Sequence, residues 1–306
     1  MEQANLVFLV TLCIVGLGFS LKHWGIISEQ NGKVVSRLLM HTTFPALMVV
    51  STIHVPLTAN LLAIPFASIA IGSMLVLLAW FIFAKQPARL RGGLTIAVGA
   101  FNIGMFGFPI IEGIWGRDAL VYAVLYDIGN TIVIFGIIYP VGYYFASGGV
   151  NRPPVKAMLR RMLRLPPLLG MVLGLMLNVL SLDLPPVLFN TLDTLAKANK
   201  PLVLLLLGIY LSFELEKSQQ FSIFRLLALR YAGCFAALFL LYALLPDSSL
   251  LRTTLTVCVL LPVGMTVLPF SDEFNFDSRV AGTLVNLSLV ISFGLLWLMV
   301  SWLGLV

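Results

Sequence analysis

The sequence predicts an all-α polytopic membrane protein: ten transmembrane helices arranged as two inverted five-helix repeats, with crossed broken helices 4 and 9. Three observations predict it: composition, the spacing of apolar runs, and a short phrase that occurs twice. Of 306 residues, 59% are hydrophobic and 10% charged, against roughly 25% charged in an average soluble domain. No water-soluble fold covers so much apolar surface, so the solvent is lipid. The apolar runs are continuous, without the alternation of membrane β-barrel strands. The repeated phrase is GMFGFP at 104–109 and GMTVLP at 264–269.

A helix needs roughly 17–25 apolar residues to cross the hydrocarbon. The first half holds such segments at Leu6–Leu21, Val34–Ile53, Leu61–Ala84, Leu94–Ile114 and Ala119–Phe145. The second half holds Pro166–Leu182, Val187–Phe213, Phe224–Leu245, Leu251–Phe270 and Val280–Val306. The first and sixth are short, as suits helices hidden inside the protein or crossing a thinned site. The N-terminus lacks a basic leader and a small-residue cleavage site, so Leu6–Leu21 reads as a retained helix.

Lys and Arg orient the chain. With loops assigned alternately, one side receives Lys22, Lys33, Arg37, Lys85, Arg89, Arg91, Arg152, Lys156, Arg160, Arg161, Arg164, Lys217, Arg225 and Arg279. The other receives Arg117 and Arg252. Positive residues stay cytoplasmic, so both termini lie outside the cytoplasm. The net charge of +6 thus orients the protein and does not point to nucleic acid. Residues 1–145 form the first repeat, 146–165 a basic cytoplasmic linker, and 166–306 the second repeat. Five helices per half is an odd number, so the second half enters from the opposite face.

Flanking residues extend the repeat. Asp118 and Asp277 follow the two phrases at one spacing, and Asp127 and Asn286 share it. Pro45 and Pro201 are looser counterparts. Gly and Pro both weaken a helix, and interrupted helices at matching positions of two halves point to a transporter's binding site. Pro109 removes a donor and frees the carbonyl near Met105. Unpaired backbone groups cost several kcal/mol, roughly, in lipid, so they must face protein, water or ligand. Half-helix N-termini suit a carboxylate and C-terminal ends suit a cation. Asn102, Gly104, Met105 and Pro109, with Pro262, Gly264 and Met265, are therefore the candidate substrate-binding residues. The bland alternative is a pair of proline kinks filled by neighbouring side chains.

Asp127 is the acid that falls well inside an apolar segment, in LYDIGNT. Intramembrane acids are functional candidates by default. With Asn130 it could bind Na⁺ or carry a proton, and Asn286 and Ser288 occupy the matching region of the tenth segment. A structural ion pair or an interfacial carboxylate is the alternative. Lys197 and Lys200 suggest an anion-attracting vestibule or simply snorkelling chains, with Asp193 in favourable register to Lys197. Arg230 reads as another snorkelling residue. His41 and His54 lie near opposite ends of the second segment and read as structural. Cys13, Cys234 and Cys258 have no CxxC or metal spacing, so no metal site is expected. No catalytic or nucleotide-binding motif is present, so neither enzyme chemistry nor a cofactor is expected, and transport would run on gradients.

Several segments together resemble the auxin efflux carrier family, which contains plant auxin carriers and bacterial malonate- or malate-type permeases. They are VGLGFSLKHWGIIS, then TTFPALMVVSTI, NIGMFGFP, LAKANKPLVLLLLG, and LPVG followed by EFN and Thr283. The resemblance covers nearly the whole chain. It implies a scaffold of helices 1, 2, 6 and 7 beside a transport domain of helices 3–5 and 8–10, moving as an elevator. It implies organic anions bound near the crossing, with Asn102, Pro109, Pro262 and Gly264 as carried-over site positions. The short central linker departs from the long hydrophilic loop of many plant carriers. It favours a small mono- or dicarboxylate permease of a bacterial inner membrane, coupled to Na⁺, H⁺ or the substrate gradient. Lipid is the expected surroundings, and a homodimer is compatible with the pattern. Competing readings are a cation/proton antiporter on a related fold and a ligand sensor without turnover.

Overall fold

The structure is a computed structural model describing residues 2–54, 61, 63–148, 155–212, 219–245 and 250–302. Most of the linker's SGGVNRPP run, Arg152 and Lys217 lie outside the described residues, as do Phe213 and residues 303–306. Among the described residues the chain is helical, with no strand. In order come α1 (Glu2–His23), α2 (Glu29–His41), α3 (Thr43–Thr52), α4 (Ala63–Ile82) and α5 (Ala88–Val98). A π-turn (Ile103–Gly107) leads into α6 (Phe108–Val133), and a second (Ile134–Ile138) into α7 (Tyr139–Ala146). There follow α8 (Val155–Met162), α9 (Pro166–Val179), α10 (Pro186–Tyr210), α11 (Gln220–Leu244), α12 (Leu250–Val259), α13 (Val267–Glu273) and α14 (Ser278–Trp302).

Local chemistry explains the boundaries. The Ser28 hydroxyl accepts the Asn31 N–H at 3.2 Å and caps α2. Pro45 cannot donate to the turn before it, and the chain kinks at Thr42 between α2 and α3. Proline opens α9 and α10, where an N–H has no helical partner in any case. The first helix runs 22 residues, longer than its apolar run, because polar residues continue it at both ends. The sixth segment stays short, at 14 residues.

Gly116 divides α6. Its φ of 77° and ψ of −169° lie where essentially only glycine goes. Phe108–Trp115 is therefore the end of one leg and Arg117–Val133 the start of the next. Asn130 touches Phe101, and the two are nearly equidistant from Gly116 along the chain, so the legs double back as a hairpin. The turn falls between Ile114 and Ala119, where the sequence leaves a gap.

Six stretches of the described chain are long and apolar enough to cross a membrane, and Ile103–Ala146 is one of them. Phe66, Phe81, Phe221 and Phe239 point away from the protein, an orientation that lipid stabilises and water does not. The helices fall into two neighbouring sets. In the first, α1 packs on α10, α3 on α9, and α10 on α3. The contact of α1 with α10 is backbone to backbone: a Cβ on Gly18 would stand 2.1 Å from the Leu205 carbonyl oxygen, and one on Gly208 2.0 Å from that of Val15. Small residues permit this approach in membranes. In the second set α4 packs on α6, α5 on α7, and α12 on α6.

Candidate functional site

Two helices of the second set are broken, and the breaks touch. The first lies between α5 and the π-turn, at residues 99–102; the second lies between α12 and α13, at 260–266. Phe101 and Val263 pair there as an isolated antiparallel bridge. The Asn102 N–H donates to the Pro262 carbonyl at 3.0 Å, and the Gly264 N–H to the Ala100 carbonyl at 3.0 Å. Each break thus supplies the partners the other lost, which meets the demand of buried backbone for hydrogen bonds. Gly264 permits the contact, because a Cβ there would stand 3.0 Å from that of Ala100.

Side chains complete the pairing. Asn130 accepts the Phe101 N–H at 3.1 Å and donates to the Phe101 carbonyl at 3.0 Å. On the other break, Ser288 Oγ accepts the Val263 N–H at 2.9 Å. Asn130 and Ser288 therefore play matching roles.

Pro109, placed by the sequence at the end of the break, lies beyond the unwound residues 99–102. It sits in the first turn of α6, behind a π-turn whose wide loop accommodates the missing donor. Helical geometry is lost earlier, where residues 99–102 turn to pair with the second break. Pro262 and Gly264 do lie inside their break. Pro109 is buried and does not border the cavity described next; nor does Pro262.

A cavity of about 200 Å³ opens beside the crossing. Asn102, Gly264, Met265 and Thr266 line it from the breaks, Gly104 and Met105 from the π-turn, and Asp127, Asn130 and Thr131 from α6. The facing wall is Met40, Phe44 and Met48 of α2 and α3 with Pro167, Leu168 and Met171 of α9. The space therefore lies between the two helix sets. Its wall is mostly apolar, with a few placed polar groups, as small-molecule sites are. The Asp127 Oδ1 accepts from Asn130 Nδ2 at 3.0 Å. Asn102 is 5% exposed, and its Nδ2 has no hydrogen-bond partner. Thr266 Oγ1 is a second unpartnered buried atom on the same wall; only the GMTVLP phrase hints at it in the sequence.

Asn286 does not share this cavity with Asp127. It accepts the Ser212 N–H at 3.3 Å and donates to the Gly282 carbonyl at 3.0 Å. It lines a separate cavity of about 610 Å³, together with Tyr210, Arg279 and Thr283. Met265 borders both spaces.

Arg230 is the residue sequence reasoning misplaced. It is wholly buried, not snorkelling, and its guanidinium donates to the carbonyls of Val98, Leu261 and Pro262. The signal was its place in a long apolar segment with no acid nearby in sequence, but only the crossing supplies the carbonyls. Lys197 pairs with Asp193 at 2.7 Å, and Arg117 reaches the same carboxylate at 2.6 Å. This cluster ties α10 to the turn at Gly116, and neither Lys197 nor Lys200 borders the crossing cavity. His41 binds the Arg37 carbonyl at 2.8 Å, and His54 stands against Phe189; neither borders the cavity. Among the described residues no cluster of metal-ligating side chains occurs, and the three cysteines are free.

Known proteins are similar to this chain. An uncharacterized transporter of Methanocaldococcus jannaschii is 25% identical over 304 residues, covering 94% of each chain. An uncharacterized transporter of Methanothermobacter thermautotrophicus is 29% identical over 212 residues, covering 67% of each. The family described as "Membrane transport protein" matches residues 5–147 and 151–300. With its several apolar helices the protein is an integral membrane protein. The chain belongs to this membrane transport protein family, the auxin efflux carrier family.

Proposed function

We propose that the protein carries a small organic anion, a mono- or dicarboxylate, across a cytoplasmic membrane by an elevator motion, driven by an ion or substrate gradient. The observation that carries this reading is the free Asn102 amide, buried in the cavity at the crossing. A buried donor without a partner costs about 1–3 kcal/mol, a cost that a carboxylate oxygen would remove. Thr266 Oγ1 is placed to add a second bond. The apolar wall suits a short carbon skeleton.

The same reading includes ten helices in two inverted repeats, with both termini outside. The reciprocal packing of α1 on α10 and of α3 on α9 supports it, as do the matching roles of Asn130 and Ser288. The first helix set acts as scaffold, and the second moves with the crossing. A cavity walled by both sets favours such sliding over a fixed gate. Asp127, on the same wall, is the coupling group for H⁺ or Na⁺. Asp127 also supports a second reading, cation/proton exchange, which Na⁺ flux against protons without organic solute would favour.

The test is uptake and efflux of labelled mono- and dicarboxylates by the purified protein in liposomes. Saturable flux of at least one acid, weakened by Asn102→Ala, is expected. Flux and binding unaffected by Asn102→Ala would remove the site.

A further inference from the structure

Among the described residues Arg230 is the bulkiest side chain with no exposure at all. A charge in this position needs a counterpart, yet its bonds go to backbone. The guanidinium donates to the Val98 carbonyl at the end of α5, and to Leu261 and Pro262 just beyond α12 at 2.9 and 3.2 Å. Its Cζ lies 4.4 Å from the Phe101 ring centroid, within cation–π range. Val98 and Leu261 sit where the two helical ladders stop, and the Pro262 carbonyl accepts from both Arg230 and the Asn102 N–H. Each C-terminal end carries about −0.5 of an elementary charge, so the two converging ends present about −1. Arginine stays protonated in proteins and supplies the matching positive charge.

We propose that Arg230 is a tethered cation that fills the cation position created by the two C-terminal half-helix ends, so the crossing takes no free Na⁺ or K⁺ there. Arg230 holds Val98 of one break and Pro262 of the other, and so fixes their crossing angle as a positioning residue. Its charge stays with the crossing, and ion coupling is confined to the Asp127 side. The effect on transport rests on the carrier reading above; the cation assignment does not.

The experiment is thermal unfolding of the purified full-length protein in NaCl, KCl and choline chloride at equal ionic strength. It compares wild type, Arg230→Lys and Arg230→Gln, with low-millimolar guanidinium chloride as a further probe. With Asp127→Asn, which removes the other cation group proposed, the otherwise native protein should melt at one temperature in all three salts. Arg230→Lys, which keeps the charge, should stay close to wild type. Arg230→Gln, which keeps donors but not charge, should melt several degrees lower. It should then recover saturably with guanidinium, or with Na⁺ over choline, since a ligand that binds only the folded state stabilises it. Saturable Na⁺ or K⁺ stabilisation of wild type that survives Asp127→Asn would overturn the proposal. So would equal losses in the Lys and Gln variants with no recovery by any cation. If Arg230→Gln does not fold, Arg230→Lys combined with Asp127→Asn decides: insensitivity to the choice of salt supports the tethered charge, and Na⁺ dependence contradicts it. These results with no acid carried by wild type would sink the carrier reading alone. Na⁺-driven anion uptake that persists in Asp127→Asn would sink this inference and the coupling role of Asp127, and leave anion transport standing.

Discussion

Phe101 and Val263 pair through their backbones where two interrupted helices cross, and each has its N–H held by a side chain from another helix. In lipid-buried protein this pairing is the local solution to two unwound segments. It also leaves the neighbouring side chains, Asn102 and Thr266, free to face a ligand.

Asn102→Ala should weaken anion binding about tenfold or more, since a hydrogen bond to a charged group contributes about 1.5–3 kcal/mol. Its melting temperature should hardly move, because the lost amide has no protein partner. Isotherms with an acid identified by the flux screen, paired with melting curves, check both halves. A large drop in stability would make Asn102 structural.

Asn130→Ala should behave differently. It strips partners from both polar groups of Phe101, at about 1–3 kcal/mol for each buried group left unpaired. We expect a clearly lower melting temperature along with lost transport. Unchanged melting would mean that the crossing is held by other contacts.

Gly264→Ala brings a methyl to within 3.0 Å of the Ala100 Cβ and 3.3 Å of the Phe101 carbonyl oxygen. Overpacking of this kind costs about 1–3 kcal/mol. Gly294→Ala meets nothing within 4 Å and removes a flexible residue from the interior of α14, so it should be neutral or stabilising. Melting curves of the two variants side by side decide the point, and equal behaviour would contradict a tight crossing.

Asp127→Asn should abolish accumulation driven by an ion gradient while leaving exchange of internal for external anion intact. The substitution keeps the bond geometry to Asn130 but removes the charge that a coupling ion needs. Counterflow and gradient-driven uptake, measured on the same liposomes, separate the two. Loss of both would place Asp127 in folding or substrate binding.

The sequence made some of this legible and hid the rest for physical reasons. Apolar runs, and Gly and Pro in matching phrases, mark the helices and the two interruptions, because those residues act on the backbone wherever they occur. The location of the first interruption was not legible. Proline suggests a break between Asn102 and Pro109, but a π-turn absorbs the missing donor, and the chain unwinds at 99–102 for a partner distant in sequence. Sequence spacing pairs Asp127 with Asn286, yet contacts match Asn130 with Ser288, one residue out of that register. Arg230 was hidden most fully, because a buried charge held by carbonyls looks the same in sequence as one that reaches the interface.

The most direct measurement is an experimental density map of the protein with a transported acid bound. A carboxylate is expected beside the Phe101–Val263 crossing, about 3 Å from Asn102 Nδ2. An acid bound elsewhere, or continuous helices through residues 99–102 and 260–266, would contradict it.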